Sequence, residues 1–422
     1  MKSSISEKPP NSDFVTLGQW RQRCFQLLWP ANVINDTSSN ERANRFIDAF
    51  PAFQAIIDLD HAVGGVMRIW QTRGLPVDVD QWSRTIDQHV IQRQYLQSQL
   101  GLEGDASIAR IRAVREARCQ FGDGFQATTK WLKQHESVNP RLGLLRQYLT
   151  QDTTIRQYKL TYKEKSQAIL HGNWSVHGTY SGRLACHERN LLALPSELHS
   201  AWRPISDGNR LIQFDLSAIE LRIAAALSND IGLITAFESG EDLHMADGVF
   251  ICNLLGVHVT SETELHRLGK RVIYALLFGA GPTRIKKTVE SIAEETILSG
   301  AVIAMITKFK QRYQKMFTYL MALEKRTILT TPFGNVPISA NLRSTQLRNL
   351  PIQFMESLLL KQLILEFRND KIIMPIHDAL LFEVNPAQQV SFKHCVKERV
   401  PAILQTWLPG LPTTKIIKFQ EM

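Results

Sequence analysis

Two apolar runs, each interrupted by a single acid, constrain this chain more than any other feature. In RLIQFDLSAIELRIAAAL the run Leu211 to Leu216 reads as a strand with Asp215 near its end, and the sequence then switches to helical spacing through Ile219, Leu221, Ile223 and Ala224. MPIHDALLFEV, residues 374–384, reads as strand–turn–strand with Asp378 between its apolar halves. A carboxylate in such surroundings is costly to bury without a partner. One such acid alone is more often a turn residue or an ion-pair partner. Two of them on neighbouring strands repel, and something cationic must hold them together. A pair of magnesium ions would do so, because magnesium takes oxygen ligands and leaves positions open for phosphates.

A stripe on a helix supplies the third piece. In ELHRLGKRVIYALLFGAG, residues 264–281, His266, Lys270, Tyr274 and Phe278 recur every four residues, and Gly279 and Gly281 end the run. All four residues therefore share one helix face. Lys270 suits a phosphate as a point charge, and the two aromatic rings suit a sugar and a base. The same spacing also fits an amphipathic helix with its aromatics in a core. Upstream, YSGRLACHERNLLALPS, residues 180–196, combines Gly182, which allows close backbone approach, with Arg183, which can reach a nucleic-acid groove or phosphate.

Composition sets looser bounds. The 422 residues suffice for two or three domains or one divided one, and 44% hydrophobic content is ample for a core. Lys and Arg number 49 against 40 Asp and Glu, a balance of +9 that suits a polyanionic partner as well as a plain basic enzyme. Five scattered cysteines, Cys24, Cys119, Cys186, Cys252 and Cys395, form no CxxC pair, which argues against a disulfide framework or a zinc ribbon. The polar start MKSSISEKPPNSDF lacks the apolar core of a signal peptide, and no apolar run is long enough to span a bilayer. A soluble, cytoplasmic protein is the expectation.

Along the chain, residues 1–14 read as a disordered lead and residues 15–57 as helical. Residues 81–150, rich in Gln, Arg and Leu, read as long polar helices, either a solvated pair or a basic arm that grips a phosphate backbone. Asn385-Pro386 fits a helix start, and TTKIIKF fits a last strand.

Taken together and in this order, the motifs resemble family-A DNA polymerases, the type of bacterial DNA polymerase I and certain phage replicases. FDLSAIELR is similar to the first palm motif, DYSQIELR. KRVIYALLFGAG is similar to the fingers helix, and IHDALLFEV to the last palm motif, VHDE followed by an apolar run. SGRL resembles TGRLSS, EDLHMADGVF resembles the fingers segment with Asp-Ile-His, and RNLPIQFMESLLLKQLI resembles NTPIQGTAADIIKKAM. LDHAVGGVMRIWQTRGLPVDVDQW resembles the opening of the polymerase domain, so the likeness runs from about residue 58 to the C-terminus.

The resemblance implies an α+β right-hand fold with an antiparallel palm sheet, helical fingers and a helical thumb. It divides the chain into an N-terminal extension at 1–57, the start of the polymerase domain at 58–80, a thumb at 81–150, palm at 151–235 and 346–422, and fingers at 236–345. It implies that Asp215 and Asp378 hold two magnesium ions, with manganese as a substitute and the Leu216 backbone carbonyl as a further ligand. His244, His266, Lys270, Tyr274 and Phe278 would face an incoming deoxynucleoside triphosphate, with Lys270 counted among the catalytic residues. Glu220 would wall off the sugar 2′ position, and Tyr274 goes with acceptance of dideoxynucleotides. Arg183, Gln353 and His377 would touch the minor groove of primer-template DNA.

Four positions depart from the family pattern. His266 stands for an arginine, Phe278 for a tyrosine, Leu192 for a glutamine, and Ala379 for the glutamate after the last Asp. None removes a metal-binding Asp or the fingers lysine, so the expectation is an active template-directed DNA polymerase of replication or repair. With 57 residues ahead of the resemblance, the expectation is a polymerase without a proofreading exonuclease domain in the chain. A degenerate polymerase fold acting as a DNA-binding scaffold, and a lesion-bypass or reverse-transcribing enzyme, are the alternatives. Processivity and replication partners are left open.

Overall fold

The structure, a computed structural model, describes residues 48, 50–187, 189–338 and 342–422. The disordered lead, nearly all of the helical reading over 15–57, and Cys24 lie outside the described residues. The chain begins with α1 (Pro51–Arg73), β1 (Leu75–Pro76), α2 (Val79–Gln99), α3 (Ala106–Phe121), α4 (Thr129–His135), α5 (Pro140–Tyr158) and α6 (Tyr162–Gln167). There follow β2 (Ile169–Leu170), β3 (Asn173–Ser175), β4 (Ala185–His187), β5 (Arg210–Leu216), α7 (Ile219–Ser228), α8 (Ile231–Glu238), α9 (Leu243–Leu255) and α10 (Glu262–Leu277). The last part comprises α11 (Pro282–Ala293), α12 (Ser299–Arg312), α13 (Gln314–Leu323), β6 (Ile328–Thr331), β7 (Gly334–Pro337), α14 (Ser344–Glu366), β8 (Ile372–Ile376), β9 (Ala379–Val384), α15 (Gln389–Trp407) and β10 (Ile417–Glu421). The class is α+β. Among the described residues no helix is long and apolar enough to cross a membrane, and Cys119, Cys252 and Cys395 are free.

The polar stretch after residue 78 forms helices because side-chain caps start each one. Asp78, Asp105, Thr128 and Asn139 accept hydrogen bonds from backbone N–H groups in the first turns of α2, α3, α4 and α5. These helices share a small core of their own around Leu96, Leu102, Ala113, Leu132, Leu145 and Tyr148. Buried Asp152 on α5 binds Arg93 and Arg156, each at 3.1 Å. The arrangement leaves most of the other charged side chains in solvent, which is why the segment reads as polar.

The main core surrounds one four-stranded antiparallel sheet in the order β10–β5–β9–β8. All six residues of β9 are buried, so its sequence is a continuous apolar run rather than an alternating one. Phe214 on β5 and Phe382 on β9 stack at 5.5 Å, and Phe367 and Phe392 pack against Phe382 from two further segments. This aromatic cluster holds the central strands together beneath the sheet end that carries the acids. The helix start expected at Asn385-Pro386 is displaced, because α15 begins three residues after Pro386, at Gln389. Asn385 caps a short 3-10 turn that leads into α15.

Two contacts fix how the site elements sit. Glu383 on β9 is buried, and its carboxylate accepts hydrogen bonds from the backbone N–H of Ile205 (2.7 Å) and Ser206 (3.2 Å), from Asn209 Nδ2 (2.6 Å) and from Lys371 Nζ (3.2 Å). This ties the loop that feeds β5 to its neighbour strand. Burial alone would raise the Glu383 carboxyl, but these donors outweigh it and hold the pKa at about 2. The second contact joins α9 and α10 backbone to backbone. A Cβ on Gly269 would lie 1.9 Å from the carbonyl oxygen of His244, and one on Gly248 would lie 2.1 Å from that of Leu265. Only glycine at both positions permits the approach.

Both contacts have measurable consequences. The depressed Glu383 pKa means stabilisation that is fully present above the ordinary value of 4.5 and lost as pH falls toward about 2. Glu383→Gln is expected to cost about 1–3 kcal/mol at neutral pH in urea unfolding and to flatten the acid dependence in that window. An unchanged acid profile would show that Glu383 does not clamp the loop. Gly269→Ala is expected to destabilise by about 1–3 kcal/mol or more. Gly300→Ala, where a Cβ meets nothing within 4 Å, serves as its control and is expected to be neutral. Equal unfolding midpoints for the two variants would contradict the close-approach account.

Candidate active site

Strand register brings the two acids together. Asp215, one residue from the end of β5, pairs with Ala379, the residue directly after Asp378. The two carboxylates therefore sit at the same end of adjacent strands. Asp378 occupies a two-residue turn between β8 and β9 in which His377 takes a left-handed φ of 55° and stays exposed. Burial, then the charge of Asp378, raises the Asp215 carboxyl above its ordinary value, and Lys418, Lys270 and His377 offset only part of that rise. Burial also raises Asp378, with Glu220 adding to the effect. Among the described residues no group of three or more His, Cys, Asp or Glu side chains is placed to hold a metal ion.

The stripe on α10 faces the same cleft. The buried face of this helix is Leu268, Gly269, Val272, Ile273, Leu276 and Leu277. Lys270 is exposed, while His266, Tyr274 and Phe278 are half-buried beside that face rather than within it. A purely internal role for the aromatics therefore does not describe them. His244 on α9 joins the row, its ring 5.1 Å from His266 and 5.9 Å from Tyr274, and Tyr274 lies 6.3 Å from Phe278. Burial, together with His266 and Lys270, lowers the His244 pKa to about 4, so the ring is neutral at pH 7. Its buried Nδ1 has no hydrogen-bond partner among the described residues. The Tyr274 hydroxyl is pushed above its ordinary value by burial and then by Glu220, Asp378, Glu356 and Asp215. That list shows how closely the helix faces the acids.

Arg183 comes from a tight turn on the opposite wall. Gly182 takes a φ of 75°, Thr179 Oγ1 accepts from the Arg183 N–H at 3.1 Å, and Ser357 Oγ donates to the Gly182 carbonyl at 2.5 Å. Beneath the turn lies a buried charged group, with Asp60 bound to Lys361 at 2.6 Å and to His177 at 3.1 Å. It ties α1 and α14 to the segment that carries Arg183. The Arg183 guanidinium binds the carboxylates of both Glu220 and Glu356. Together with Leu192, His377 and Asp378 these three residues line a cavity of about 270 Å³. Gln353, one turn before Glu356 on α14, accepts a hydrogen bond from the Tyr180 hydroxyl at 3.4 Å.

Of the residues singled out in the sequence, Arg183, Leu192, Glu220, His377 and Asp378 thus line one cavity, and Leu216 lies at the end of β5 next to Asp215. Glu356 was missed. Burial raises its carboxyl above the ordinary value, and the Arg183 guanidinium bound to it pulls the other way. A signal was present, since Glu356 stands where the motif NTPIQGTAADIIKKAM has its first alanine. The glycine pair at 248 and 269 was missed too, because a close approach between helices leaves no periodic trace.

Comparison with known proteins agrees with the geometry. The profile of DNA polymerase family A matches residues 120–408. DNA polymerase I of Caldicellulosiruptor bescii is 25% identical over 322 residues, which cover 69% of this chain and 36% of that protein. DNA polymerase I of Mycobacterium tuberculosis is 27% identical over 300 residues, covering 63% of this chain and 31% of that protein. The chain thus spans about a third of the length of these relatives. The polymerase domain of Pol1 from M. smegmatis, solved in complex with DNA primer-template and dNTP, superposes with a TM-score of 0.65 at 19% identity, covering 88% of this chain and 69% of that one. Its fold is the fold seen here, a helix-rich α+β right hand. With two thirds of its length inside the family profile, and with the two strand acids and the helix lysine meeting in one cleft, this chain belongs to DNA polymerase family A.

Proposed function

We propose that this chain adds deoxynucleotides to a primer 3′-hydroxyl under the direction of a template. The observation that carries the reading is the meeting of Asp215 and Asp378 at adjacent strand ends, opposite the Lys270 face of α10. Primer-template DNA and dNTPs are the partners bound by the M. smegmatis polymerase domain, and we assign the same classes to this chain. We take residues 81–150 as the thumb, 151–235 and 346–422 as the palm, and 236–345 as the fingers, with residues 58–80 opening the polymerase domain.

The donor set fits divalent magnesium. Two carboxylates raised chiefly by burial, Asp215 also by the charge of Asp378 and Asp378 by that of Glu220, offer hard oxygen atoms and are stabilised by a cation that accepts oxygen ligands. Asp215 and Asp378 would hold two ions, with the Leu216 carbonyl as a further oxygen, and phosphate oxygens of the substrate would complete the ligand set. Bound there, the ions would supply Lewis-acid activation of the hydroxyl and neutralisation of the departing pyrophosphate.

The chain's own groups do the rest. Lys270 offers a point charge to the triphosphate. Neutral His244 has one N–H to donate to a phosphate oxygen, and its partnerless Nδ1 is consistent with a ligand that completes it. His266 extends the polar end of the same row. Tyr274 and Phe278 present flat apolar surface to the sugar and base, and Glu220 occupies the place where a 2′-hydroxyl would have to fit. Arg183, Gln353 and His377 stand on the primer side, where contacts to the degenerate minor-groove pattern report pair shape more than sequence.

Primer extension with Asp378→Ala is the direct test. Nucleotide addition is expected to fall by ~100-fold or more, while primer-template binding persists. Extension at the wild-type rate would remove Asp378 from the site. A wild-type protein that binds primed DNA yet extends nothing with magnesium or manganese would instead be a binding scaffold on a polymerase fold.

A further inference from the structure

Glu356 is not one of the acids the proposed chemistry uses, yet it shares a cation, Arg183, that lines the cavity with it. The same Arg183 nitrogen, Nη2, reaches the carboxylates of Glu220 and Glu356. Two carboxylates divide one guanidinium, and Asp378 lines the same cavity. A guanidinium pinned in this way still has other N–H groups, Nε among them without a partner among the described residues, but it is held too firmly to swing toward an acceptor on nucleic acid. To do so it must release one carboxylate. Glu220 starts α7 directly behind β5 and sits where the sugar must be excluded, so its place is set by substrate selection. Glu356 has no such duty. It is buried on α14, and it stands where the family motif carries alanine.

We infer that Glu356 is a positioning residue, which holds Arg183 back until an acceptor in a primer-terminal minor groove displaces it. The inference rests on the reading that Arg183 faces the primer end. Every Watson–Crick pair presents an acceptor, purine N3 or pyrimidine O2, at comparable places in the minor groove. A mispaired end displaces these atoms and competes less well with a fixed carboxylate. Glu356 therefore weakens primer-template binding in general and weakens it most for mismatched ends. It converts the Arg183 contact from simple affinity into discrimination.

The experiment measures dissociation constants for primer-templates with matched and mismatched 3′ ends, on the wild type, Glu356→Ala, Glu356→Gln, Arg183→Ala and the Arg183→Ala/Glu356→Ala double variant. Glu356→Ala and Glu356→Gln are both expected to bind matched ends about 3- to 10-fold more tightly. The gain should be larger for mismatched ends, so that the matched-to-mismatched ratio narrows, and it should vanish once Arg183 is gone. Glu356→Gln keeps the side-chain shape and decides the matter if the alanine variant melts early. Unchanged or weaker binding by a folded Glu356→Gln protein overturns the inference, as does a gain that persists without Arg183. A wild type that binds no primer-template overturns the functional reading as well. A wild type that binds and extends, with Glu356 variants indistinguishable from it, overturns this inference alone.

Discussion

The structure depends on holding two like charges side by side at one end of a buried sheet. Asp215 and Asp378 come together because β5 pairs with β9 in a register that sets Asp215 opposite Ala379. A slip of one residue would turn Asp215 to the other face of the sheet. Several contacts guard that register. The Phe214–Phe382 stack fills the space below the acids. Glu383 clamps the loop entering β5. Arg222, buried behind β5, donates to the carbonyls of Ser217, Pro412 and Thr414, so the segment leading to β10 is pinned against the same strand. The repulsion between the acids is tolerated because the surrounding packing leaves them no other arrangement.

The opposite wall solves a different problem. A helix that offers Lys270 and two half-buried rings to the cleft must lie close to α9, which carries His244. The glycines at 248 and 269 let the two backbones touch, so that His244 joins the row of His266 and Tyr274. On the third side, the buried Asp60–Lys361 pair and its neighbour His177 support the turn that aims Arg183. Ion pairs of this kind are weak sources of net stability, but losing one partner leaves a buried charge exposed to an apolar interior. Here the group joins α1, α14 and the Arg183 turn at a single point.

Much of this was legible in the linear sequence, and for identifiable reasons. The strand over 211–216, the hairpin around Asp378 and the helix ending at Gly279 rest on local pattern, and each appears within a residue or two of where the pattern put it, whereas the helix start at Asn385 forms first as a 3-10 turn. The polar segment over 81–150 reads as helices, and helices are what form, though the small core they enclose was not visible in their composition. The departure at Ala379 also gains a physical setting. It is a buried residue of β9 paired directly with Asp215, so a glutamate there would add a third acid beside the pair. What escaped the sequence were relations between distant segments, namely Glu356 with Arg183, Gly269 with His244, and Lys361 with Asp60. In each case the residue looks ordinary within its own element.

By itself, the sequence determined which residues could carry the chemistry: two acids in apolar strands, a lysine and aromatics at helical spacing, and an arginine beside a glycine. Those choices are local, because side-chain type and period are written residue by residue. Only the tertiary structure decided which of them share a cavity, which cation serves which acid, and how strongly each carboxyl is held from its ordinary pKa. Such properties depend on burial and on separations of a few ångströms between segments far apart in the chain, and no local pattern encodes those distances.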